Sequence, residues 1–301
     1  MSSVAVVGGG VVGQRVRRNL AGNFRVVPRD LAAEIVVLAS PGPHVRAAEA
    51  LLSRGAHVVS TSGDPDDVRE LLDLEAVARE HGSTLVVGAA VSPGLAGLLA
   101  RHLVTRMATC DELHVAVHGT AGPACAREHH KTLAGWAVGW HDGQWIERAA
   151  GSGRELCWFP EPVGARDCYR ADLADPVVLH RAFPEVARIS ARRSATRRDR
   201  LTARLPMLSP PHLEGGIGAV RVEARGRDSN DARVTHVVGV AELIGTAAAA
   251  TAAAMVAVVA GQSADGGVMT TADPELPAAA IVRNVVRHGV RLQEFTGIPT
   301  S

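Results

Sequence analysis

The sequence predicts an α/β protein: a doubly wound parallel sheet joined to a second, α+β domain whose antiparallel or mixed sheet carries helices on one face. Three observations predict it. A short apolar strand opens the chain and runs into a cluster of glycines. Apolar runs and helical patterns then alternate to about residue 112. Beyond that point alternating strand patterns follow one another and end in a long alanine-rich segment. A chain of 301 residues has room for two cores, and we expect residues 1–112, joined by the C-terminal segment 265–301, to form the first domain and 113–264 the second. At 47% hydrophobic and 21% charged it is an ordinary globular composition. A net charge of +1 gives no electrostatic ground for a nucleic-acid or membrane partner.

The first strand, Val4–Val7, leads into Gly8-Gly9-Gly10-Val11-Val12-Gly13, which has the spacing G-x-G-x-x-G. In such a turn Gly8 permits the sharp bend, Gly10 lets a pyrophosphate approach the backbone, and Gly13 lets the new helix pack on the strand. Free N–H groups at the helix start, including those of Val11 and Val12, then attract phosphate. The helix places Val12, Val16 and Leu20 on one face, away from Arg15, Arg17 and Arg18. Phe24–Val27 reads as the second strand, and only residues 28–34 separate it from the third at Ile35. That is too little chain for a usual crossover helix, so the adenosine side must be abbreviated. The acidic residue expected to hold a ribose hydroxyl near the end of the second strand is replaced by Pro28 and Arg29, with Asp30 one step later. Arg29 suits a 2′-phosphate, so NADP(H) is preferred over NAD(H).

Apolar runs at 35–39, 57–61 and 84–88 alternate with helical patterns near 44–54 and 65–81. Asp64 is placed to cap a helix with Pro65 at its first position, and Ser92-Pro93 repeats the arrangement after the next strand. Open α/β sheets bind ligands at the carboxyl ends of their strands, which puts Ser40, Pro41, Ser62, Pro93 and Gly94 among the expected cofactor contacts. In the second half, Trp136–Trp140 and Gln144–Ile146 flank an Asp142-Gly143 turn, a hairpin signal. Further strands are expected at 186–194, 217–226 and 233–242. Leu243–Ala260 carries no charge, but alanine rather than leucine dominates it, so it reads as a buried helix and not a membrane span. The tail at 280–296 reads as a helix stopped at Gly289, returning to the first domain. Cys110, Cys125, Cys157 and Cys168 lack C-x-x-C spacing, so reduced thiols and no metal site are expected. No charged-then-apolar leader precedes the first strand, in keeping with a cytoplasmic protein.

Several segments together resemble the saccharopine dehydrogenase (saccharopine reductase) family: the fingerprint at 6–13, Gly55–Asp64, Gly88–Leu95, the loop Gly119–Ala124, and Gly267-Val268 with Pro274-Glu275 and Gly289-Val290. The resemblance implies a Rossmann domain, a second α/β domain, homodimerisation, and hydride transfer between a nicotinamide and the C=N bond of a small amino-acid-derived imine. It also implies that Gly119, Thr120 and Gly122 offer backbone groups to substrate. The chain departs from the family in its shorter length, in Ser92 where aspartate is common, and in Ala96-Gly97 where lysine-pathway relatives carry Asp-His. Saccharopine itself is therefore not the expected substrate. An enoyl reductase acting on a carrier-bound chain and a non-catalytic NADP-binding protein are the alternatives.

Reducing an imine requires an acid near nitrogen and a cation for any carboxylate. Glu128-His129-His130-Lys131 is the densest titratable cluster outside the arginine stretch at 192–204, and Lys131 is the only lysine in the chain. His129, His130 or Lys131 is thus the expected proton donor, with Arg127 or Lys131 holding charge. On a helix the two histidines diverge, so at most one faces a given site. Tyr169, the only tyrosine, with Arg166 nearby, is the alternative acid and carboxylate grip, although packing is the commoner role of such a ring. His114 and His118 share one strand face without a third metal ligand, so they read as structural.

Overall fold

The computed structural model describes residues 1–28, 32–207, 210–261 and 266–295. The chain starts with β1 (Ser3–Val7), α1 (Val11–Leu20), β2 (Arg25–Val27), β3 (Ile35–Leu38), α2 (Val45–Leu52), β4 (His57–Ser60), α3 (Pro65–Leu72), α4 (Glu75–Glu80) and β5 (Thr84–Val87). A turn at 91–95 leads to α5 (Ala96–Val104), β6 (Thr109–His118), α6 (Pro123–Lys131), β7 (Trp136–His141), β8 (Gln144–Ala149), β9 (Glu155–Trp158) and β10 (Ala165–Arg170). Then come α7 (Asp175–Ala182), β11 (Arg188–Ser194), α8 (Arg197–Thr202), β12 (Ile217–Arg227), β13 (Arg233–Leu243) and α9 (Ile244–Ala260). The chain closes with β14 (Gly267–Thr270), α10 (Ala278–Arg287) and β15 (Leu292–Phe295).

Six parallel strands form the first sheet in the order β14-β5-β4-β3-β1-β2. It is doubly wound, of Rossmann type. Its central strands are continuous Val, Ile and Leu runs because both faces are covered, and β3 and β5 are buried at every residue. The winding direction reverses between β1 and β3, the switch point at which such sheets open a crevice. β2 is an edge strand, in line with the abbreviated second crossover.

The second sheet is mixed, in the order β15-β13-β12-β6-β11-β10-β9, with the β7–β8 hairpin attached to β11. β6 and β11 run parallel and the other pairs antiparallel. The hairpin turns at Asp142 (φ 47°) and Gly143 (φ 82°), the left-handed pair that Asp-Gly favours. Leu113, Val115 and Val117 of β6 join the main core, while Ala116 belongs to a small cluster with Cys157, Phe159 and Cys168 on the opposite face.

One continuous core joins the two sheets. α9 lies against α1, β3 and β4 as well as β12 and β13, so it is buried nearly all round and has no polar face to display. Its small side chains permit that close approach. A Cβ on Gly245 would lie 2.7 Å from Val11 Cγ1. Thr251 satisfies its buried hydroxyl by donating to the Ala247 carbonyl at 2.9 Å. Among the described residues no helix is long and apolar enough to cross a membrane.

The structure differs from the sequence reading in three places. The helical pattern at 65–81 is two helices, α3 and α4, separated at Asp73-Leu74. Ser92 does not cap a helix, because its hydroxyl donates to Asp175 instead of accepting from a helix amide. The C-terminal segment is shared: β14 pairs with β5 in the first sheet, whereas β15 pairs with β13 in the second, where an open edge was available.

Candidate functional site

A cleft of about 760 Å³ opens at the carboxyl ends of β1, β3, β4 and β5. Its facing wall is the end of β6, the 119–122 loop and α6, and Ile244 and Ala248 of α9 contribute to its lining.

The three fingerprint glycines have different reasons to be glycine. Gly8 has φ +129°, and a Cβ there would sit 2.4 Å from the Ala39 carbonyl oxygen. A Cβ on Gly13 would lie 2.3 Å from the Gly8 oxygen. Both therefore serve the packing of β1, β3 and α1. Gly10 does not: a Cβ there would meet no protein atom within 4 Å. It is the N-cap of α1, no side chain caps that helix, and no acidic residue stands in its first turn. Gly10, Val11 and Val12 line the cleft, and Gln14 steadies the turn by donating to the Gly9 carbonyl at 2.9 Å. Open space before uncapped amides fits a diphosphate.

The neighbouring strand ends complete this wall. Ser40, Pro41, Thr61 and Ser62 line the cleft. His44 is buried between Ser60 Oγ (2.8 Å) and the Ser40 carbonyl (2.9 Å), which pins the loop after β3. Asp64 caps α3 by accepting from the amides of Asp66 and Asp67 at 3.1 and 3.0 Å. Pro93 and Gly94 are buried inside their turn instead: a Cβ on Gly94 would lie 2.5 Å from the Gly88 oxygen, and Thr271 donates to the Gly94 carbonyl at 2.7 Å. The turn offers Val91 and Ser92 to the cleft. Arg29 lies outside the described residues.

On the opposite wall Gly119 takes φ +82°, with Gly218 too close for any side chain. Gly119 and Gly122 line the cleft; Thr120 does not, its carbonyl being packed beneath Gly215. α6 presents Cys125, Glu128, His129 and Thr132 at helical spacing, with Lys131 exposed at the rim. The two histidines diverge as helix geometry requires. His130 points out, its Nε2 at 2.9 and 3.1 Å from the carbonyls of Thr202 and Leu205, and Arg127 is exposed outside the lining.

His129 faces the cleft with Nδ1 unpartnered. Burial pushes its pKa well below the ordinary histidine range, and the Arg193 guanidinium adds to the effect. It is neutral at neutral pH. Arg193, itself lowered by burial to about 10, donates to the His129 carbonyl at 2.9 Å and to Thr132 Oγ1 at 3.3 Å. Tyr169 is buried under the Arg200 guanidinium, 4.1 Å from the ring centre, and Arg166 is exposed on the same strand. Neither lines the cleft, since β10 is separated from β6 by β11. His118 reaches the cleft with Nδ1 2.6 Å from Ser194 Oγ, and His114 is held by Ser190 and Glu112. Among the described residues no group of three or more potential ligands could hold a metal.

One pair was not anticipated. Ser92 in the cleft wall donates to Asp175, which is fully buried in the first turn of α7 and lies 83 residues away in sequence. Burial pushes that carboxyl up to about 6, against the lowering effect of the Ser92 hydrogen bond. The sequence signals only a helix start at Asp175-Pro176.

No protein-family model and no curated protein matches the chain. Among solved structures it is similar to apo saccharopine dehydrogenase (L-Glu forming) from Saccharomyces cerevisiae, with a TM-score of 0.71, 13% identity, and coverage of 98% of this chain and 99% of that one. It also matches a meso-dapdh mutant from Clostridium tetani (TM-score 0.47, 13% identity, 93% and 98% coverage) and the DAP dehydrogenase of C. glutamicum (TM-score 0.44, 13% identity, 94% and 98%). The first likeness shows that the chain shares the fold of that structure over 98% of its length.

Proposed function

We propose that this protein is an oxidoreductase that binds NADP(H) in preference to NAD(H) and transfers hydride to or from the C=N bond of a small amino-acid-derived imine. The observation that carries the reading is Gly10, a glycine with empty space before it at an uncapped helix start inside the main cleft. Full-length likeness in fold to an enzyme named saccharopine dehydrogenase supports the reaction class.

In this reading the amides of Val11 and Val12 hold the diphosphate, while Ser40, Pro41 and Ser62 flank the cofactor. The bound nicotinamide would supply the hydride. Ser92 and the backbone of Gly119 and Gly122 surround the substrate, and Lys131 at the rim attracts its carboxylate. His129, lining the cleft and neutral, offers a hydrogen bond and not a proton. We further propose a cytoplasmic protein that forms the homodimer implied by the sequence resemblance, for which light scattering should give twice the 31.4 kDa of one chain.

The test is oxidation of NADPH, followed by absorbance, in the presence of a panel of cyclic and acyclic imines derived from amino acids. Turnover is expected with an imine bearing a carboxylate, and Lys131→Ala should raise KM about tenfold with kcat less affected. Arg29→Ala should shift preference from NADPH towards NADH. Tight NADPH binding with no turnover across the panel would contradict the catalytic reading.

A further inference from the structure

We propose that Ser92 and Asp175 form a proton relay, Asp175 storing a proton inside the protein and Ser92 passing it through the cleft wall to the substrate nitrogen. The proposal rests on the reading above that an imine is reduced in this cleft.

Asp175 is completely buried, yet the Ser92 hydroxyl that contacts it belongs to the cleft lining. One oxygen of Asp175 takes the Ser92 hydrogen bond, and the other has no partner. A fully solvent-shielded carboxylate with an unpartnered oxygen is under-stabilised when charged, so the group favours holding a proton. Nothing ionic offsets this. α7 packs against β11, α5, β7 and the 91–95 turn. Arg193 of β11 is turned to His129 and Thr132, and Arg188 to Glu112 and Asp142. Arg101 of α5 donates to the carbonyls of Ala272 and Ala182, His141 of β7 is beside Asp142, and His180 of α7 itself stacks on Trp140. Among the described residues no charge contributes to the environment of Asp175, whose carboxyl lies near 6, within reach of neutral pH.

Of the two α6 groups first expected to give a proton in the cleft, His129 is already neutral and Lys131 is exposed at the rim. Addition of hydride at the imine carbon moves the C=N π pair onto nitrogen. That pair takes the Ser92 hydroxyl proton, and Ser92 Oγ takes the Asp175 carboxyl proton. The products are the amine, an intact serine and an aspartate carboxylate, the two electrons having come from the reduced nicotinamide. A proton from water restores the carboxyl. In the reverse direction the carboxylate draws a proton from the amine through the same hydroxyl.

A merely structural tie between the 91–95 turn and α7 makes a different forecast, because Asp175→Asn keeps an acceptor for Ser92 and removes only the proton. Because the folded protein disfavours ionised Asp175, wild type loses stability as pH rises from about 4 through about 6, and the asparagine variant does not. Thermal melts should therefore show Asp175→Asn gaining several degrees of Tm over wild type at pH 8 and nothing at pH 4. Both Asp175→Asn and Ser92→Ala should bind NADPH as wild type does. With 1-pyrroline or whichever imine the panel identifies, each should lower kcat at least about 100-fold and abolish the limb of the pH profile near 6, and Ser92→Thr should restore it. A Tm difference independent of pH, or an unchanged kcat in Asp175→Asn, overturns the relay. Absence of any turnover by wild type contradicts the proposed function instead, and the melts still decide whether Asp175 stores a proton.

Discussion

Two parts of the cleft are built in different ways. The fingerprint part is made of backbone: a glycine turn and the free amides of one helix, all within six consecutive residues. The rest depends on side chains from distant segments, with Ser92 of the same wall resting on Asp175 and α6 of the opposite wall held at the His129 carbonyl by Arg193. A backbone site tolerates substitution only where space was left for a ligand, whereas a side-chain site depends on buried partners that set protonation. The contrast separates substitutions that break the fold from those that break only the site.

The sharpest break of that contrast is within the glycine turn. Gly13→Val places a Cβ against the Gly8 carbonyl and should cost about 3 kcal/mol or more, read as a fall in Tm of about 5 °C or more. Next in size is Arg193→Met, which removes the charged donor to the His129 carbonyl, leaving that oxygen to the Thr132 hydroxyl at 2.8 Å, and should cost about 1.5–3 kcal/mol. Because the Arg193 charge helps to depress His129, NMR titration of that imidazole should show its pKa rising in the variant. An unmoved His129 would remove Arg193 from the account of the opposite wall. Smaller again, Asp64→Ala deletes the cap of α3 and should cost about 1 kcal/mol in chemical denaturation.

The same division explains what could be read from the sequence. The fingerprint, the Asp64-Pro65 cap, the Asp142-Gly143 hairpin and the central parallel strands are local patterns, and each appears where its spacing placed it. Ser92 with Asp175 escaped notice because 83 residues separate the pair and no local rule links them. The α6 cluster was found, but which of its members face inward depended on helix phase and on the carbonyls of Thr202 and Leu205 that take His130 away. Tyr169 and Arg166 stood out by rarity and proximity in sequence, and the strand order carries both away from the cleft. The tail strand β15 went to the second sheet because edge pairing, unlike hydrophobic period, leaves no mark in four residues.

The central claim is that the emptiness before Gly10 exists for a cofactor. Fluorescence titration of wild type and Gly10→Val with NADPH, alongside their melting curves, addresses it directly. The account predicts that the valine variant melts within about 1 kcal/mol of wild type, the cost of a poorer N-cap where a Cβ meets no protein atom, while NADPH affinity falls at least about 100-fold. Undiminished NADPH binding by a folded Gly10→Val protein would contradict it.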